Sequence, residues 1–220
     1  GILESYGIED TVPKRVREIL ENGAEGKLPE TPKPGDPIFS RVRNILIGTN
    51  ALALGAAESR ARELGYNTVL LTSRLTGEAR EAAKFFSGIA QDTAGEEMLA
   101  RKPACILAGG ETTVTIRGKG KGGRNQEMAL AFLREIARRP ECFAGVLFAS
   151  VATDGNDGPT DAAGAAASSD ILHRAEKAGL DPAAYLADND AYHFFESLDG
   201  LIKTGPTNTN VCDIQILLVE

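Results

Sequence analysis

A chain of 220 residues with 42% hydrophobic and 25% charged side chains can bury a full core and has the composition of a folded globular protein, which excludes disorder. Its 31 acidic and 24 basic residues leave a net charge of -7, which excludes general nucleic-acid binding, because affinity for a phosphate backbone comes from a field of cations. No apolar run nears the roughly 18 residues of a membrane span and no signal peptide opens the chain, so a cytoplasmic setting is expected, without membrane or nucleic-acid partners.

Pro13 to Leu20 predicts a short helix, with proline suited to the first turn and Asn22-Gly23 to the end. Residues 24 to 37 hold Pro29, Pro32, Pro34 and Pro37 with Gly26 and Gly35, a composition that resists regular structure and reads as a linker. A boundary is expected there, with residues 1–37 as helix plus linker and residues 38–220 as an α/β domain. From Asn44 strand and helix alternate. Strands are predicted at 44–48, 68–72, 104–108, 113–117, 145–152 and 211–219. Helices are predicted at 51–64, closed by Gly65, at 78–90, with another running to Arg101, at 125–138, and at 170–177, ended by Gly179. The 104–108 and 113–117 strands are joined by Gly109-Gly110-Glu111, short enough for a hairpin and an antiparallel pair. Strand 145–152 is nearly all apolar, as expected of a strand buried on both faces. This alternation predicts a three-layer α/β/α sandwich with a mixed, mostly parallel sheet, whose ligand crevice lies at the carboxyl ends of the parallel strands.

Cys105, Cys142 and Cys212 are odd in number and far apart, with only His173 and His193 as helpers, so they predict three reduced thiols and neither a disulfide framework nor a zinc site. Gly1 stands where an initiator methionine would, and reads as a processed product or a piece of something longer.

Three polar loops at strand ends carry the chemistry. Thr115 to Leu130 packs four glycines and four cations with no acid before Glu127. Gly118-x-Gly120-x-x-Gly123 matches a dinucleotide fingerprint, but the acid expected about 20 residues later falls inside a helix. As a P-loop the stretch lacks the Ser/Thr that holds magnesium. Lys119, Lys121 and Arg124 beside a helix N-terminus at Asn125 make an anion site, with a flexible basic hairpin as the plainer alternative.

Ala152-Thr-Asp-Gly-Asn-Asp-Gly-Pro-Thr-Asp-Ala-Ala-Gly164 follows the apolar strand and holds Asp154, Asp157 and Asp161. An EF-hand is excluded, since the glycine comes one place early and Ala165 stands where the bidentate Glu belongs. Magnesium on Asp154 and Asp157 fits, because it needs one or two carboxylates plus phosphate oxygens and waters. An Asx-turn, with aspartates capping backbone N–H groups, is the alternative and is preferred for Asp161. Thr204-Gly-Pro-Thr-Asn-Thr-Asn-Val-Cys-Asp213 offers hydroxyls and amides with no charge before Asp213, the palette for a small polyhydroxylated acid. Gly109-Gly110-Glu111-Thr112-Thr113 offers the same plus a carboxylate.

Together Gly109-Gly-Glu-Thr-Thr-Val114, Gly118-Lys-Gly-Lys-Gly-Gly-Arg-Asn-Gln-Glu127, the Ala152–Gly164 loop and Thr204-Gly-Pro-Thr-x-Thr-Asn210 resemble the glycerate 2-kinase family, whose C-terminal module is called MOFRL and some members of which are labelled hydroxypyruvate reductase. Glu30-Thr-Pro-Lys-Pro-Gly-Asp36 and Ile47-Gly-Thr-Asn-Ala-Leu52 resemble the family's middle region. The resemblance implies transfer of the γ-phosphoryl group of ATP, with Mg2+, to a hydroxyl of D-glycerate to give 2-phosphoglycerate. It also implies a partner, the family's N-terminal nucleotide-binding portion, which these residues do not match, and with it an inactive isolated fragment. By resemblance Arg124 and Asp154 match catalytic positions, while Glu111, Thr112, Lys119, Lys121, Asn125, Asp157, Thr207 and Asn210 line the substrate and phosphate site. Asn208 stands where the family has glycine, and asparagine is the best-tolerated substitute if that position needs a positive φ. An NAD(P)H-dependent hydroxypyruvate reductase and a non-catalytic ligand-binding fragment stay open beside the kinase.

Overall fold

The computed structural model describes residues 1–220, which divide into two compact units, Gly1–Leu46 and Ile47–Glu220. The first unit carries α1 (Ile2–Ser5), α2 (Lys14–Ala24) and single 3-10 turns at Glu9–Thr11 and Pro37–Arg41. Helix α2 starts behind Pro13 as expected and runs through Asn22-Gly23. None of its residues is buried.

The second unit contains α3 (Asn50–Glu63), β1 (Asn67–Leu75), α4 (Ala79–Glu96), β2 (Ala104–Gly110), α5 (Arg124–Arg138), β3 (Val146–Ala152), β4 (Gly164–Ser168), α6 (Ser169–Ala178), α7 (Pro182–Ala187), α8 (Ala191–Glu196), β5 (Leu201–Ile202) and β6 (Asp213–Val219). The six strands form one sheet in the order β1-β2-β6-β3-β4-β5. The sheet is mixed, as expected, but only β1 and β2 run parallel, and every other neighbouring pair is antiparallel. The expected parallel majority fails because β6, last in the chain, returns to the centre of the sheet and separates β2 from β3.

Two of the three expected helix stops hold. Gly65 takes φ +92 after α3 and Gly179 φ +67 after α6, the left-handed conformation that costs glycine no Cβ clash. Other expectations need correction. Residues 44–48 form no strand: Ile45, Leu46 and Ile47 are 67, 86 and 94% exposed, with no ladder beside them. Residues 113–117 form no hairpin with β2. Gly110 at φ +147 turns the chain so that Thr113 makes only a single parallel bridge to Glu78. Helix α4 is one piece to Glu96, and no second helix reaches Arg101.

The core lies mainly between the sheet and α4/α5, where Phe132 stacks on Phe148 at 4.5 Å and Phe86 meets Phe148 at 5.2 Å. A smaller cluster of Leu54, Ala61, Cys105 and Leu107 lies under α3 on the opposite face. Three layers result, with one helix on the thin side. That single helix cannot cover the whole sheet, so Leu147 of β3 is exposed and Val151 half-buried instead of the strand being enclosed on both faces. The α5 face of β6 reads Asp213, Gln215, Leu217, Val219, all buried, so the strand carries a charged residue into the interior at its first position.

Candidate functional site

Register puts the site together. Gly110, Asp213 and Ala152 pair in one row across β2, β6 and β3. From this row the chain leaves as Glu111-Thr112, leaves again as Thr153-Asp154, and enters as Asn210-Val211-Cys212. Three loops distant in sequence therefore meet where two strands end and one begins.

Arg124 is the first residue of α5. Its Nε donates to Asp213 Oδ2 at 2.6 Å and its Nη2 to Oδ1 at 2.9 Å, a two-pronged pair with a carboxylate that is 0% exposed. Its Nη1 lies 3.3 Å from Glu111 Oε1. The hydrogen bond to Asp213 raises the guanidinium above its ordinary pKa. One edge of the fork is thus spent inside the protein, and the Nη1 end is what remains for a ligand. Glu111 is exposed and also accepts from Cys212 Sγ at 3.7 Å, and burial, followed by this carboxylate, pushes the Cys212 thiol up.

Asp157 and Asn125 do not face a ligand, because both are 0% exposed. Asp157 Oδ1 accepts from the Asn125 amide and side chain, each at 3.1 Å, and Oδ2 accepts from the Gln126 amide at 2.9 Å and its side chain at 3.0 Å. The carboxylate occupies the helix N-terminus that the sequence offered to a phosphate. Burial pushes this carboxyl up and the four N–H donors pull it back. Asn125 Oδ1 accepts from Ser150 Oγ, tying the network to β3. Thr112 is likewise buried, with a hydroxyl that has no partner.

The glycine-rich loop has also met its anion within the chain. The amides of Arg117 and Gly118 donate to Asn189 Oδ1, Lys119 N to Asp188 Oδ1, Gly120 N to the Asp188 carbonyl and Lys121 N to Asp190 Oδ1, all between 2.8 and 3.0 Å. The glycines are there for this packing: a methyl group on Gly118 or Gly120 would overlap Asp188 or Asp190, and one on Gly123 would overlap Asp157. A dinucleotide cradle needs those amides, so neither fingerprint describes the loop. Of its side chains, Lys119 is exposed, while Lys121 Nζ sits 4.0 Å from the centre of the Tyr192 ring.

The second and third loops are stitched together. Asp154 accepts from the Asn156 amide at 3.0 Å and from Asn210 Nδ2 at 3.1 Å. Thr207 donates its amide to the Asp154 carbonyl and its hydroxyl to the Thr153 carbonyl at 2.6 Å. Asn208 takes φ +60, the conformation in which asparagine best replaces glycine. Asp161, the expected Asx-turn residue, instead accepts from Tyr192 Oη at 2.7 Å and Lys203 Nζ at 2.9 Å.

No cluster of three or more His, Cys, Asp or Glu side chains converges to hold a metal. Asp157, with four donors on its two oxygens, does not fit a metal, whereas Asp154 accepts one bond on each oxygen and keeps a lone pair on both. Beside Arg124 a cavity of about 300 Å3 opens between the glycine-rich loop and Gly158-Pro159, with Val114, Ile116 and Ala191 in its wall.

Two groups central to this arrangement were missed in the sequence. Asp213 had a signal, an acid opening a strand face that runs on through Gln215 to Leu217 and Val219. Asp188-Asn189-Asp190 had none, since nothing local distinguishes it from a solvated turn.

The MOFRL family model matches residues 104–213. The chain is 39% identical over 219 residues to a glycerate 2-kinase of Pyrococcus horikoshii, covering 99% of this chain and 48% of that protein. It is 36% identical over 256 residues to a glycerate kinase of Rattus norvegicus, again covering 99% and 48%. Among solved structures, the glycerate kinase of Thermotoga maritima superposes with a TM-score of 0.81 at 38% identity, covering 100% of this chain and 49% of the other. The chain thus spans about half the length of these relatives.

Proposed function

Because this chain belongs to the MOFRL family, we propose that it supplies the acid-binding wall of a glycerate kinase, which moves the γ-phosphoryl group of ATP to a hydroxyl of D-glycerate and yields 2-phosphoglycerate. The observation that carries this reading is Arg124, locked by Asp213 with its Nη1 end left at the meeting point of the three loops. The relatives called glycerate kinase and glycerate 2-kinase support the substrate. Their greater length supports a second, nucleotide-binding portion as partner, closing on this wall.

Phosphoryl transfer passes through a loose transition state, so the protein's work is positioning and charge stabilisation. Arg124 holds the glycerate carboxylate or the moving phosphoryl group, displacing the exposed Glu111. Its orientation is set before the ligand arrives, which lowers the entropic cost of binding. Lys119, unpaired and exposed, neutralises phosphate charge, and Lys121 adds to the same field from its place over Tyr192. Thr207 and Asn210 hold the Asp154 loop in register. Asp154 accepts the substrate hydroxyl proton or is the single carboxylate that holds magnesium. Held there, magnesium would supply positive charge against the phosphate groups. The proposed setting is the cytoplasm, in keeping with three unpaired thiols.

Calorimetric titration of the 220-residue chain with D-glycerate tests the reading, together with ADP release from ATP when the remaining half of a family-length protein is supplied. Binding that Arg124→Lys abolishes is expected, because lysine cannot reproduce the fork. Oxidation of NADH with hydroxypyruvate, without ADP release, would replace the kinase by a reductase.

A further inference from the structure

Arg124 is only as well placed as the carboxylate that holds it, and Asp213 stands on an unusual piece of backbone. Cys212, immediately before it, has φ +67, a conformation that a non-glycine residue keeps only where its surroundings over-determine it. Three groups do so. Thr153 Oγ1 donates to the Cys212 carbonyl at 2.7 Å, the Cys212 amide donates to Asn210 Oδ1 at 2.9 Å, and Asn50 Nδ2 donates at 2.8 Å to the carbonyls of both Val211 and Asp213. Thr153 and Asn210 belong to the loops of the site. Asn50 does not: it comes from the first turn of α3, on the thin side of the sheet, where the Thr49 hydroxyl caps the helix by accepting from the Leu52 amide. One amide group therefore clamps the strained bend from both sides. Gly109 is what lets it in, because a methyl group there would overlap the Asn50 side chain.

We propose that Asn50 is a positioning residue for Arg124, acting through the Cys212 bend and the Asp213 carboxylate, with Gly109 as its clearance. The order of action is physical. Asn50 fixes the backbone at which β6 begins, that backbone aims the buried Asp213 carboxylate, and the carboxylate aims the guanidinium. Without the clamp, Cys212 relaxes toward ordinary φ, the carboxylate swings with it, and the two-pronged pair is replaced by a single, mobile hydrogen bond. The inference rests on the reading of Arg124 as the ligand-contacting group, but its first consequence is visible without any ligand.

The experiment compares the 220-residue chain with its Asn50→Ala and Gly109→Ala variants, each checked for folding by circular dichroism. The Arg124 side-chain Nε–H signal in nitrogen-15 NMR is the first readout. It is expected to be sharp and slow to exchange in the parent and to exchange at least about tenfold faster in both variants. The second readout is D-glycerate titration, in which the variants are expected to bind about ten- to a hundredfold more weakly, as is usual when a supporting shell is loosened. Asp213→Glu, which keeps the carboxylate, is expected to recover part of the affinity that Asp213→Asn loses. An unchanged Nε–H signal in folded Asn50→Ala overturns the proposal, and so does collapse of both variants, which would make the clamp a stability element alone. If the parent binds no D-glycerate, the functional reading fails, while the NMR comparison still decides the relay.

Discussion

The Lys119 amide donates to the Asp188 carboxylate at 2.9 Å, and this pairing decides what the glycine-rich loop is for. A loop built to wrap a phosphate must keep its amides open. Here five consecutive amides, Arg117 to Lys121, are closed by Asp188, Asn189 and Asp190, so the loop has only its side chains left to offer a ligand.

Asn189→Ala is therefore expected to destabilise the protein by about 3 kcal/mol. It leaves the amides of Arg117 and Gly118 unmade and removes the Nδ2 donor from the buried Glu127 Oε2, each worth about 1–3 kcal/mol. Asn189→Asp keeps the acceptor but sets a second carboxylate against Glu127, so it is expected to cost more than the alanine. Urea unfolding of the three proteins checks the order, and hydrogen exchange locates the loss at residues 115–121.

Asp157→Asn changes one oxygen into a donor facing donors on Asn125 or Gln126. A cost of about 3 kcal/mol is expected, combining a lost helix cap with a buried mismatch. If magnesium protects the protein against unfolding, that increment is expected to survive in Asp157→Asn and to vanish in Asp154→Asn. Thermal scans with and without the metal separate the two carboxylates.

Two glycines with similar φ are expected to behave differently. Gly155, at φ +89, packs against the Gly205 carbonyl, where an added methyl group has no room, and Gly205, at φ +69, has open space. Gly205→Ala is expected to cost about 1 kcal/mol, the left-handed penalty alone. Gly155→Ala adds a backbone overlap and is expected to cost about 3 kcal/mol or more. It is also expected to free Thr207 and Asn210 from Asp154, which amide exchange in residues 204–210 reports.

Cys105, 2% exposed on β2, has its thiol pushed up to about 11 by burial. At pH 8 its thiolate fraction is lower than that of an ordinary cysteine by roughly two orders of magnitude. Cys142 and Cys212, both half-buried, are thus expected to be alkylated first, by mass spectrometry of the native protein. The native state holds a proton on Cys105 that the unfolded chain releases above its ordinary pKa near 9. Stability is thus expected to fall as pH rises from about 9 to 11, and Cys105→Ala is expected to reduce that slope, with the raised Cys212 thiol contributing in the same direction.

The helices that could be read were those with their own punctuation. Gly65 and Gly179 ended α3 and α6 where expected, because a left-handed stop is a property of one residue and its immediate neighbours. Helix α5 was legible from its apolar period. Short elements packed by distant partners, β4, β5, α7 and α8, were not. Residues 44–48 and 113–117 carried a strand pattern without a strand, since a ladder needs a second chain segment that local sequence cannot supply.

The site divides the same way. The sequence marked out the polar loops and proposed Arg124 and Asp154 as site residues, because residue type alone already restricts the chemistry a loop can offer. The tertiary structure alone decided which of those charges remain free. Asp157 and Asn125 were spent on a helix end, the loop amides on Asp188 to Asp190, and one edge of Arg124 on Asp213. A carboxylate or an amide is available to a ligand only if no partner from elsewhere in the chain has reached it first. That depends on register and packing, which no single stretch of residues contains.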